Sequence, residues 1–150
     1  MPSRNVSPPT PARILLVDDN AHGLTARRAV LEEMGHKIVI AANGSDALDL
    51  FSQSKFDLVV TDYKMPRMDG LELIKRLRKI ALGVPIVLVS GFVDALGLNE
   101  SNTGADAVVQ KSSNEVTHLL RAVSRLLTRK PARKPAGSEI PPLKAKSKSV

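Results

Sequence analysis

Residues 58–80 read Leu58-Val59-Val60-Thr61-Asp62-Tyr63-Lys64-Met65-Pro66-Arg67-Met68-Asp69-Gly70-Leu71-Glu72-Leu73-Ile74-Lys75-Arg76-Leu77-Arg78-Lys79-Ile80. The run from Leu58 to Thr61 is too short for a helix and is closed by an aspartate, so it reads as a strand. Met65-Pro66 and Met68-Asp69-Gly70 mark a turn leading into a capped helix. Beyond it Leu71, Leu73, Ile74, Leu77 and Ile80 recur at helical spacing. The stretch is one βα unit.

The same unit recurs on both sides. Ile14 to Val17, Lys37 to Ala41, Ile86 to Val89 and Ala107 to Val109 are short apolar runs bounded by Gly, Pro, Asp or Asn. Their unalternated apolarity predicts strands buried on both faces. Between them lie Leu24, Ala29, Val30, Leu31 and Met34, then Ala47, Leu48 and Phe51, then Val116, Leu119, Leu120, Val123, Leu126 and Leu127, all with helical spacing. Gly35 suits the position just past a helix C-terminus, and Ser112 with Glu115 has capping-box spacing. The stretch from Gly91 to Gly104 is expected to hold one weak helix, because Gly97 and Asn99-Glu100-Ser101-Asn102 disfavour it. Strands alternating with helices predict an α/β fold, a (βα)5 three-layer sandwich with a parallel sheet covered on both faces.

Composition sets the limits of this domain. The chain has 150 residues, 43% of them hydrophobic and 25% charged, enough for one ordinary domain. Pro and Ser crowd the start, and Lys, Pro, Ala and Ser the end, so the expected organisation is a disordered N-terminal segment over 1–11, a folded domain over 12–128 and a basic disordered tail over 129–150. The net charge of +7 would suit a nucleic-acid binder if it lay on the domain. It does not: Arg129, Lys130, Arg133, Lys134, Lys144, Lys146 and Lys148 stand against Glu139 alone, which leaves the folded part nearly neutral. The absence of cysteine excludes thiolate metal sites and cysteine nucleophiles and fits a reducing cytoplasm, the expected location. No apolar run approaches the roughly 18 residues of a membrane span, and the N-terminus lacks the apolar core of a secretory signal.

Function is sought where an open parallel sheet binds ligands, at the carboxyl ends of its strands. The first strand ends in Asp18-Asp19, the third in Asp62, the fourth in Ser90 and the fifth in Lys111. Taken singly, the first group suits helix caps, Ser90 a turn hydroxyl and Lys111 a solvated lysine. Independent caps and turns have no reason to place such groups at four strand ends in order. Three clustered carboxylates need a compensating cation, and an all-oxygen site suits Mg²⁺ or Mn²⁺ better than zinc. A carboxylate beside such a cation can serve as nucleophile in phosphoryl transfer, with Lys111 and Ser90 contacting phosphoryl oxygens.

Four blocks now carry a resemblance: Leu15 to Asp19, Thr61 to Gly70, Pro85 to Gly91 and Gly104 to Lys111. Together they resemble the receiver domain of two-component response regulators, over about residues 12 to 128. The resemblance implies the flavodoxin-like strand order 2-1-3-4-5. It further implies that Asp62 is the phosphoacceptor, that Asp18, Asp19, Asp62 and the backbone carbonyl of Lys64 hold Mg²⁺, and that Ser90 and Lys111 contact the phosphoryl group. The implied phosphodonor is a histidine kinase or a histidine phosphotransfer protein, and the output is a contact with a downstream protein target. Such a chain is a regulator and not an enzyme beyond its own phosphorylation and dephosphorylation. Two positions depart from the family pattern: Ser112 stands where a proline usually follows the lysine, and Val108 stands where the family usually has an aromatic ring.

Two other classes compete. A nucleic-acid or anionic-surface binder acting through the basic tail lacks aromatic residues there, the chain's one tyrosine being Tyr63. A metal-dependent phosphatase on a similar fold would need an acid/base beside Asp62, and the residue two positions on is Lys64.

Overall fold

The computed structural model describes residues 11–128. The N-terminal segment before Pro11 and the basic segment after Thr128 lie outside the described residues. The strands are β1 (Arg13–Val17), β2 (Lys37–Ala41), β3 (Leu58–Asp62), β4 (Ile86–Ser90) and β5 (Ala107–Gln110). The helices are α1 (Ala21–Glu33), α2 (Gly44–Gln53), α3 (Gly70–Ile80), α4 (Val93–Leu96), α5 (Glu100–Thr103) and α6 (Glu115–Thr128). All five strands run parallel in the order β2-β1-β3-β4-β5, the flavodoxin-like arrangement that the resemblance implies.

Period two along the strands divides the core between the two faces. On one face Ile14, Leu16, Leu58, Val60, Val87 and Val89 pack with Leu24 and Leu31 of α1 and Leu119, Val123 and Leu126 of α6. On the other, Leu15, Val17, Val59, Ile86 and Leu88 pack with Ala47 of α2 and Leu73, Ile74 and Leu77 of α3. Each fully buried Leu or Ile contributes about 1.5–3 kcal/mol relative to exposure. The result is a helix–sheet–helix sandwich whose central strands β3 and β4 are buried at every residue.

Burial on both faces does not extend to the margins. β2 is half-buried over most of its length, and β5 alternates buried and half-buried residues. The reason is position: these two are the edge strands. The single weak helix expected after β4 is two separate turns. Gly97 adopts a left-handed φ of 63° and closes α4, and Asn99 starts α5 afresh through a capping box with Asn102. Gly35 does sit just past α1 with φ 97°.

Two local expectations fail. The Ser112–Glu115 capping box is not formed: Ser112 Oγ accepts from Asn114 N at 3.2 Å, and the Glu115 carboxylate is turned to Arg27. In α1, Ala29 is exposed while Arg27 is buried, so the inward stripe runs Leu24, Arg27, Leu31. The first departure goes with the bond from Arg27 to Glu115.

Candidate phosphoryl and cation site

Parallel register delivers the strand-end residues to one rim. Val17 pairs with Thr61 and Asp62 with Val89, while Ser90 pairs with Gln110, so the next residues along β1 and β5, Asp18 and Lys111, flank Asp62 and Ser90. Asp18, Asp19 and Asp62 each offer a carboxylate oxygen, and these oxygens lie within 4.8 Å of one another. Asp18 and Asp62 are buried and Asp19 is exposed.

The local sequence explains the placement. Asn20 caps α1 by accepting from Gly23 N, and Asp18 Oδ1 accepts from Asn20 N at 3.0 Å, so capping falls to the asparagine. After β3 the chain turns sharply. Arg67 takes a left-handed φ of 67°, Gly70 N donates to Tyr63 O at 2.7 Å, and Asp69 caps α3 through Glu72 N. A Cβ on Gly70 would overlap the carbonyl oxygen of Asp62, so this turn requires glycine to bring α3 under the rim.

Lys111 Nζ lies 2.6 Å from Asp62 Oδ1. That is an ion-pair contact without hydrogen-bond geometry, and the buried Oδ1 has no hydrogen-bond partner among the described residues. Burial foremost pushes the Asp62 carboxyl above its ordinary pKa; Lys111 opposes this and the charge of Asp18 adds to it. Ser90 is buried, and its Oγ accepts from Phe92 N at 2.8 Å, leaving the hydroxyl proton for another acceptor. Lys64 is exposed, with its ammonium 5.4 Å from the centroid of the Phe92 ring, and that ring meets Tyr63 edge-on at 6.0 Å.

One charged group at the rim escaped the sequence reading. Arg27 Nη1 donates to Asp18 Oδ2 at 2.6 Å, and Arg27 Nε donates to Glu115 Oε2 at 2.8 Å. The available signal was its spacing, three residues after Leu24 and four before Leu31, which puts a guanidinium on an inward stripe where only a partner makes it tolerable. Three carboxylates are thus met by two cationic side chains, Lys111 and Arg27. The donor set of carboxylate oxygens, including a buried oxygen without a hydrogen bond, fits a hard divalent cation.

Comparison with known proteins places the fold in a family. The family model for the response regulator receiver domain matches residues 14–124. The alkaline phosphatase synthesis transcriptional regulatory protein PhoP of Bacillus subtilis is 34% identical over 119 residues, covering 75% of this chain and 48% of that protein. The gliding motility regulatory protein of Myxococcus xanthus is 30% identical over 117 residues, covering 76% of this chain and 15% of that protein. The chain therefore spans half or less of the length of these two curated relatives. Among solved structures, the response regulator TrrA of Thermotoga maritima in complex with Mg²⁺ and BeF has a TM-score of 0.70 at 34% identity, covering 77% of this chain and 98% of that one. The chemotaxis protein CheY4 of Vibrio cholerae has a TM-score of 0.70 at 26% identity, covering 78% and 99%. Sheet order and matched span agree, and the chain belongs to the response regulator receiver domain family.

Proposed function

We propose that this receiver accepts a phosphoryl group on Asp62, with Mg²⁺ held by Asp18, Asp19, Asp62 and the backbone carbonyl of Lys64. The observation that carries the reading is the buried Asp62 carboxylate, 2.6 Å from Lys111 and within 4.8 Å of two further carboxylates on the same rim. A bound Mg²⁺ would neutralise and orient phosphoryl oxygens. An Asp62 oxygen attacks phosphorus, the P–O bond forms as the P–N bond of a phosphohistidine breaks, and the imidazole leaves. Lys111 then follows the charge from the carboxylate to a phosphoryl oxygen, and the Ser90 hydroxyl turns its proton to another.

The donor in this reading is a histidine kinase or a histidine phosphotransfer protein, and the output is a contact with a downstream protein. Further support comes from TrrA, whose structure holds Mg²⁺ and BeF. Intact mass after treatment with a small-molecule phosphodonor and Mg²⁺ tests the proposal. One base-labile phosphoryl adduct is expected, absent without Mg²⁺ and absent in Asp62→Asn. An adduct that survives in Asp62→Asn overturns the assignment.

A further inference from the structure

Arg27 occupies an inward position of α1 at 5% exposure, between Leu24 and Leu31. A buried guanidinium is tolerated only when its donors are met by charged acceptors. Here they are met by Asp18, nine residues back at the end of β1, and by Glu115, 88 residues on in the first turn of α6. These two partners outweigh the desolvation that opposes the Arg27 charge. Room for the link is left by Gly23, where a Cβ would stand 2.7 Å from Asp18 Oδ2 and 3.1 Å from Arg27 Nη1. Glu115 keeps this bond instead of capping its own helix.

We propose that Arg27 is a tethered counter-cation of the acidic pocket, competing with a divalent cation for Asp18 and linking the exchange to the start of α6 through Glu115. The inference rests on the cation pocket of the proposed function and adds a positioning residue to it. In this structure both Asp18 oxygens accept hydrogen bonds, Oδ1 from Asn20 N and Oδ2 from Arg27. A divalent cation using Asp18 shares that carboxylate with Arg27, and it enters a pocket whose negative charge Arg27 and Lys111 have already reduced. As the cation takes its share of Asp18, Arg27 rests more on Glu115, and the first turn of α6 registers the change.

Mg²⁺ affinity measured by calorimetry on the full chain tests this. Arg27→Met removes the competitor and tightens Mg²⁺ binding by about tenfold, the effect of one nearby charge partly screened by solvent. Arg27→Lys keeps the charge and stays within about threefold of the wild type. Glu115→Gln leaves Arg27 to Asp18 alone and weakens Mg²⁺ binding, and it has no further effect in the Arg27→Met background, because Glu115 acts through Arg27. In amide exchange, Mg²⁺ changes protection of residues 115–119 in the wild type and not in Arg27→Met. A natively folded Arg27→Met with equal or weaker affinity overturns the role of Arg27. Should Arg27→Met fail to fold, Glu115→Gln decides alone, and an unchanged or tighter affinity overturns the inference. A wild type that binds no Mg²⁺ overturns the cation pocket itself, a failure distinct from either of these.

Discussion

Asp62 sits under opposing demands. Burial and the neighbouring Asp18 favour its neutral form, while Lys111 and Arg27 favour the carboxylate, and the balance raises its pKa. A raised folded pKa means that the folded state holds this proton more tightly than the unfolded chain does. The group therefore stabilises the fold below its unfolded pKa and loses that contribution as pH rises through the folded value. Wherever Asp62 is ionised without Mg²⁺ it is so against that preference, and there Asp62→Asn is expected to raise Tm by a few degrees. The advantage shrinks as pH falls through the raised carboxyl value, where the wild-type group is itself neutral. Melting both proteins in Mg²⁺-free buffer across the acid range checks this; an advantage independent of pH would mean that charge is not its cause.

Between β4 and β5 the domain has its weakest elements. α4 and α5 are single turns of four residues, α4 buries no residue, and Phe92 and Leu96 are exposed. The segment is tied to the rim by the bond from Phe92 N to Ser90 Oγ and to β5 by the bond from Val108 N to Glu100 Oε2. Val108 itself is half-buried against the core face shared by α2 and α3, and a β-branched side chain is stiff about χ1. A move of Ser90 toward a phosphoryl oxygen would release Phe92 N, so the change is expected in the segment and not at Val108. Amide exchange with and without Mg²⁺ and beryllofluoride, a stand-in for the phosphoryl group, should show altered protection concentrated in residues 91–104. A response confined to β5 around Val108 would refute this route.

For the molecule as a whole, the rim joins elements that the chain separates widely. Asp18, Asp62 and Lys111 stand at the carboxyl ends of β1, β3 and β5, and a cation held by Asp18 and Asp62 would join the ends of β1 and β3. Binding to the folded state alone stabilises by mass action, about 2.7 kcal/mol at a hundredfold excess over Kd. Tm should therefore climb with Mg²⁺ concentration in the wild type and climb far less in Asp18→Ala or Asp19→Ala. Equal climbs in all three would reduce those carboxylates to local capping and turn roles. Among the described residues no helix is long and apolar enough to cross a membrane.

Much of this was legible in the residue order. Short apolar runs alternating with helical spacing determined the five strands and the four longer helices, and strand bounds fell within one residue of those expected, while the one weak helix expected between Gly91 and Gly104 is two turns. The strand-end groups Asp18, Asp19, Asp62, Ser90 and Lys111 were readable because a parallel sheet brings equivalent strand ends to one rim. Local rules failed where a partner lay far along the chain. Nothing near Glu115 in sequence says that its carboxylate leaves a capping box for Arg27, and nothing near Arg27 says that an arginine on an inward stripe finds two acids. Those choices arise only when α1 and α6 pack on the same face of the sheet, which encloses one guanidinium between the end of β1 and the start of α6. Periodicity determines which way a residue faces, and packing decides what it meets there.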